Sequence, residues 1–251
     1  MKLLRDTWLV YQRQMLLVLR SPSWLAIGLI QPIVYLLLFA PMLKVALDTT
    51  SYSAAYRVYV PGLLAALAIF GGLFTGFNLL GELRMGVIER FRVTPVSRIA
   101  LLLGRALRET TTLVVQSVVI TVLALPFGLT ANFGGLLLAY LLLAMMALAS
   151  AAISYGVTMS IKSDAALAPV MNTVSQPLAL LSGVLLPVAL APHWLRAIAD
   201  WNPFYWAVTG MRDLFAGNIG DGAVWSGMGL TAVVMVAAVA WTARLFARQV
   251  S

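Results

Sequence analysis

Stretches of 18 or more mostly apolar residues recur along nearly the whole 251-residue chain, joined by short polar links. No other feature constrains the fold as tightly, because runs of that length read as helices crossing a membrane. A soluble domain is about half apolar and about a quarter charged. This chain is 61% hydrophobic and 10% charged, with a mean hydropathy of +0.93. A water-soluble fold of this size would be unable to hide so much apolar surface. No long polar block is present from which to build a soluble domain, so one all-α membrane domain over residues 1–251 is expected.

The residue inventory excludes several chemistries. The chain has no cysteine, so disulfides, thiolate nucleophiles and cysteine metal sites are ruled out. Its single histidine, His193, cannot build a metal cluster. A net charge of +8 would point to nucleic acid in a soluble protein. Here the excess falls in the loops, where it sets topology, and no nucleic-acid partner is expected. Residues 1–20 alternate charged and apolar positions and lack the clean apolar core of a cleavable signal.

Six spans are expected, at 24–43, 58–80, 99–129, 133–160, 165–188 and 223–243. The first holds Gln31-Pro32, a kink and an amide that needs a partner inside the protein. Gly62, Gly71, Gly72 and Gly76 give the second a small-residue stripe for close helix approach. The third follows Thr94-Pro95, a cap and first-turn proline, and only Thr110–Leu129 of it is apolar enough for hydrocarbon. Pro169, Pro177 and Ser182-Gly183 interrupt the fifth. Ahead of the spans, residues 1–23 hold an amphipathic helix. Leu4, Trp8, Tyr11, Met15 and Val18 recur at steps of three and four, against Lys2, Arg5, Gln12, Arg13 and Arg20, which suits the surface of the anionic leaflet. With both termini inside, thirteen of the seventeen Lys and Arg face the cytoplasm. The inverted topology breaks the positive-inside rule.

Residues 81–98, GELRMGVIERFRVTPVSR, carry the densest charge in the chain and are placed on the cytoplasmic side. On a helix Glu82 and Glu89 lie within about 20° of each other. Leu83, Val87 and Phe91 fall on another side at steps of four. The segment can be a short amphipathic helix offering two carboxylates to the cytosol. On charge alone, a solvated positive-inside loop that merely orients the second and third spans is the stronger reading, although such a signal needs only Lys and Arg.

Here the sequence resembles a family. Glu82-x-x-x-Gly86-x-x-Glu89-Arg90 followed by Thr94-Pro95-x-x-Arg98 is similar to the first cytoplasmic loop of type-2 ABC exporter permeases. Ser182-Gly183 to Pro187, Pro192-x-Trp194-Leu195, Asn202-Pro203 and Gly210-Met-Arg212 resemble the family's last extracellular stretch. The nearest subgroup is that of daunorubicin-resistance-like drug and lipid exporters. One departure is Val87, where many members carry Thr. The resemblance implies a transmembrane subunit working with a separate cytosolic ABC ATPase, which binds the ATP and Mg. It implies that 81–98 is a coupling helix, with Glu82, Gly86, Glu89 and Arg90 at the docking surface and Thr94, Pro95 and Arg98 shaping the hinge into the third span. It makes the N-terminal helix a connecting helix. It also implies that 190–222 is a re-entrant helical hairpin closing the outer end of the path, with Ser182, Gly183, Pro187, Pro192, Asn202, Pro203 and Arg212 as its marks.

The chain cannot itself hydrolyse ATP through a P-loop, since none of Lys2, Lys44 and Lys162 follows a glycine. It holds no cofactor of its own on this reading. Asn202-Pro203 again pairs a cap with a first-turn proline, and Trp194, Trp201, Phe204, Tyr205 and Trp206 form an interfacial aromatic group. Arg196, Asp200, Arg212 and Asp213 are candidates for ion pairs there. Within the spans the main polar candidates are Gln31, Asn78, Gln116, Asn172 and Gln176, few enough to point to a hydrophobic or amphipathic cargo. One six-span subunit rarely encloses a wide path, so a dimer is expected, with a second copy or a similar permease. A secondary transporter or channel for a small hydrophobic solute, or a membrane-embedded lipid-modifying enzyme, are the rival functions. The first lacks a charged or inverted-repeat core, and the second lacks clustered acids.

Overall fold

The structure, a computed structural model, describes residues 2–20, 22–46, 52–85, 98–130, 132–161, 163–185 and 187–249. Among them the regular structure is helical throughout. The helices are α1 (Lys2–Leu19), α2 (Pro22–Ala46), α3 (Tyr52–Phe74), α4 (Gly76–Arg84), α5 (Arg98–Ala124), α6 (Phe133–Ile161), α7 (Asp164–Leu181), α8 (His193–Ala199), α9 (Pro203–Ala216) and α10 (Gly222–Gln249). Among the described residues four apolar stretches are long enough to cross a membrane: Tyr52–Arg84, Ile99–Phe127, Phe133–Ile161 and Gly222–Phe246. Ile27–Phe39 and Ala165–Leu181 are apolar but shorter. The predicted first and fifth spans correspond to these two. Most of the predicted loop helix and the Thr94-Pro95 helix start lie outside the described residues.

The core is built on α3 and α6, and its first determinant is the small-residue stripe. A Cβ added at Gly72 would lie 2.5 Å from Ser150 Cβ and 3.0 Å from the Ala147 carbonyl. One added at Gly76 would lie 2.2 Å from Thr158 Oγ1. Only glycine lets the two backbones come this close. The second predicted span is nevertheless not one helix. It starts earlier, at Tyr52, and breaks at Thr75. There the Thr75 N–H turns to the Gly72 carbonyl, three residues back, at 3.3 Å. Ser154 of α6 fills the break. Its hydroxyl accepts from the Gly76 N–H at 2.9 Å and donates to the Leu73 carbonyl. Both groups lie where no water is at hand, and an unsatisfied one would be costly. A side chain inserted into the helical ladder is a known cause of a bend.

Around this pair the other helices lie in predictable places. Two prolines run inside α7, Pro169 and Pro177. It ends where Gly183 takes a positive φ of 70°, which a residue with a Cβ rarely adopts. Gly128, at φ 96°, closes the short 3-10 turn Leu125–Phe127 between α5 and α6. The N-terminal helix packs along α5. A Cβ at Gly104 would lie 2.7 Å from Val10, and Tyr11 Oη donates to Thr111 Oγ1 at 3.3 Å. The predicted apolar stripe of α1 is thereby divided. Tyr11 and Val18 turn partly inward, while Leu4 and Trp8 stay exposed.

The α3–α6 contact yields the first prediction. Gly72→Ala forces the two helices apart and should lower stability by about 1–3 kcal/mol. Gly81→Ala, with nothing within 4 Å of its Cβ position, should be neutral or slightly stabilising. Thermal unfolding of the two variants in the same detergent compares them directly.

Candidate binding cavity

A cavity of about 690 Å³ opens between α2, α3, α4, α5 and α7. That volume lies within the range of sites that hold drug-sized ligands. Its walls are mainly apolar, with Leu63, Leu67, Phe70, Phe74, Leu113 and Leu180 among them. Gln31, Asn78, Gln116, Asn172 and Gln176 also line it, all five of the amides picked out in the sequence, each on one of four different helical segments. Gln31 Nε2 donates to Tyr35 Oη at 3.3 Å, so the amide beside Pro32 finds its partner one turn along the same helix. The Asn172 amide donates to the Ala168 carbonyl at 3.0 Å. Gln116 lies against α2 where Gly28 leaves room, a Cβ there falling 2.9 Å from Gln116 Nε2.

Two further lining residues escaped the sequence reading, Arg108 and Glu109. Arg108 Nη1 lies 3.0 Å from Glu109 Oε2. The signal was available. Arg108, Thr112 and Gln116 stand at steps of four, one polar stripe down an otherwise apolar helix. All three line the cavity. Towards the end of α4 a second ion pair joins Glu82 to Arg105, which is 5% exposed. Glu82 sits in the helix that ends at Arg84, and its carboxylate is ion-paired inside the chain.

At its other end the cavity meets Val184 and Leu185, just past the break in α7. Here the family-motif residues form one joint. Asn202 caps α9, its Oδ1 accepting from the Phe204 N–H at 3.0 Å, and Pro203 takes the first helical position. The Asn202 amide also donates to Ser182 Oγ at 2.9 Å and to the Leu178 carbonyl at 3.2 Å. Ser182 donates to Leu178 as well, at 2.6 Å. Arg212 of α9 donates through Nε to the Val58 carbonyl at 3.1 Å and through Nη2 to the Gly183 carbonyl at 2.5 Å. Gly62 lets α3 touch this turn, since a Cβ there would fall 2.0 Å from the Val184 carbonyl. Pro187 precedes the 3-10 turn Val188–Leu190, and Pro192 precedes α8.

The ion pairs expected in this region are absent among the described residues. Arg212 holds the two carbonyls just named, and Arg196 donates to the carbonyls of Ala191, at 2.7 Å, and Ala189. A broken helix exposes carbonyls that have no ladder partner, and a guanidinium with five donors satisfies them better than any other side chain. Gly86, Glu89, Arg90, Thr94 and Pro95 lie outside the described residues, and Arg98 is placed only as the first residue of α5. Among the described residues no group of three or more His, Cys, Asp or Glu is placed to hold a metal.

Among the described residues four stretches are long enough to cross a bilayer, and two of them, together with the shorter apolar helices α2 and α7, line a drug-sized cavity, which suits a multi-pass membrane protein. The chain belongs to the ABC-2 type transporter family, which matches residues 5–216. It is 25% identical to a putative transport permease, ycf38, of Pyropia yezoensis over 218 residues, 85% of this chain and 75% of that one. The daunorubicin resistance ABC transporter permease protein DrrB1 of Streptomyces coeruleorubidus is 27% identical over 193 residues, 76% of this chain and 68% of that one.

The joint gives a second prediction. Arg212→Lys has a single ammonium where two carbonyls need donors, and should cost about 1–3 kcal/mol. The expected result is a lowered unfolding temperature together with faster maleimide labelling of a cysteine introduced at Leu185, measured in the otherwise cysteine-free protein.

Proposed function

We propose that this chain is the membrane subunit of an ATP-driven exporter, moving a hydrophobic or amphipathic, drug-like or lipid-like substrate out across the cytoplasmic membrane. The observation that carries this reading is the cavity, where sparse amides are gathered on an apolar wall between helices of a chain in the ABC-2 type transporter family. Such a lining suits an amphiphile better than an ion, which needs denser charge. The relative that confers daunorubicin resistance by its name supports the drug-like class.

The topology proposed with it has six spans, formed by α2, α3 with α4, α5, α6, α7 and α10, with both termini in the cytoplasm. The α8–α9 pair enters the outer leaflet as a re-entrant hairpin, and the joint at Asn202 and Arg212 is the outer gate. The loop that follows Glu82 docks on a cytosolic ABC ATPase, which supplies ATP and Mg chemistry. Gly86, Glu89 and Arg90 meet the ATPase, and Thr94, Pro95 and Arg98 form the hinge into α5. Glu82 acts from inside the permease, tying the end of α4 to α5 through Arg105. The connecting helix is α1, held against the same part of α5. The faces of α2 and α7 that carry Ile30, Leu38, Val174 and Leu180 are exposed in the single chain and meet a second permease, the same or a similar one, so that two cavities join.

The test is a charge reversal at the docking surface. Glu89→Lys should leave membrane insertion and unfolding temperature unchanged but abolish co-purification of the ATPase and substrate-stimulated ATP hydrolysis. Full stimulation in that variant overturns the docking role. Stimulation by ions or sugars alone overturns the substrate class.

A further inference from the structure

Arg108 and Glu109 are an unusual ion pair for a helix. Consecutive residues point about 100° apart, so they do not normally face each other. Here both side chains turn to one place, the cavity they line, and meet at 3.0 Å. They are only 16% and 14% exposed. Arg108 Nε has no hydrogen-bond partner among the described residues, so the guanidinium is not saturated by the protein. The Glu82–Arg105 pair, which joins α4 to the same helix α5, is likewise neutral in sum. The cavity thus contains a positive and a negative group side by side, with no net charge, facing an apolar chamber.

In a low-dielectric site this arrangement selects by electroneutrality. A ligand with one anionic group can draw Arg108 away only by leaving Glu109 buried and unpaired, and a cationic ligand does the reverse to Arg108. Breaking a buried pair from one side is strongly unfavourable. A ligand that brings both charges replaces one pair by two. We infer that the Arg108–Glu109 pair is a headgroup subsite for a zwitterionic amphiphile, its phosphate or carboxylate bound by Arg108 and its ammonium by Glu109. Its apolar tail lies along Phe70, Phe74 and Leu113. The volume of about 690 Å³ suits a single-chain or drug-sized amphiphile rather than one with two long acyl chains. This inference rests on the cavity being the substrate path, and it narrows the substrate class proposed above.

The test is equilibrium binding to the full chain in nanodiscs of an uncharged glycolipid, without nucleotide or ATPase. Four radiolabelled probes share one tail: dodecylphosphocholine, dodecyl phosphate, dodecyltrimethylammonium and dodecyl maltoside. The wild type should bind the zwitterion at least about tenfold more tightly than the other three, the factor that about 1.4 kcal/mol represents. Arg108→Gln should shift the preference to the cationic probe and Glu109→Gln to the anionic one. Where a single variant fails to insert, the doubly substituted Arg108→Gln/Glu109→Gln chain decides. It contains no unpaired charge and should bind the four probes with no charge preference. Equal binding of the four probes by the wild type, preference for a singly charged or neutral probe, or a zwitterion preference that survives the double substitution overturns the inference. Because no ATP is involved, failure here leaves the ATPase coupling standing, and a failed coupling experiment leaves this one unaffected.

Discussion

The insertion of Ser154 into the break at Thr75 is the contact on which the rest of the molecule depends. A helix buried in an apolar medium cannot leave backbone groups bare, so a bend there needs a substitute partner at the moment of folding. One hydroxyl supplies it in both directions, accepting from Gly76 and donating to Leu73. Close approach makes this possible, because Gly72 of α3 and Gly76 of α4 bring the break within reach of a side chain as short as serine. The neighbouring Thr75 and Tyr155 hydroxyls, 3.4 Å apart, add a second polar link between the two elements. Beyond the break, α4 carries both Asn78 in the cavity wall and Glu82 beside Arg105.

The parts of this arrangement that were legible in the sequence share a physical origin. Period and composition reveal which segments are apolar and helical, and glycine spacing reveals where helices touch, so the helical class and the α3 contact face were readable. Local capping chemistry made Asn202-Pro203 readable as a helix start, because the cap acts on residues two positions away. The five amides were readable as a set because a polar side chain in an apolar span is conspicuous. Their convergence on one cavity was not readable, since it depends on how four helical segments are rotated about their axes.

What escaped the sequence involves partners far apart in the chain. Ser154 looks like one more small residue in α6 until its distance to Leu73, 81 positions away, is known. Arg212 and Arg196 seemed to call for Asp200 and Asp213, which are near in sequence and opposite in sign. Main-chain carbonyls have no letter in a sequence, yet those of Val58, Gly183, Ala189 and Ala191 are what the two guanidinium groups hold. Glu82 likewise has a partner that spacing does not reveal, Arg105 on a different helix.

The two ends of the cavity are built on opposite principles. The end near Val184 and Leu185 is held by hydrogen bonds to a broken backbone, from Asn202, Ser182 and Arg212. Such bonds have clear alternatives, because a carbonyl released by Arg212 can pair again when the helix rewinds or when water enters. The end near Arg108 is held by paired charges, which have no cheap alternative in an apolar setting. The two ends therefore differ in what a change of shape would cost: an exchange of hydrogen bonds at the joint, but a separation of charges at the Arg108–Glu109 pair.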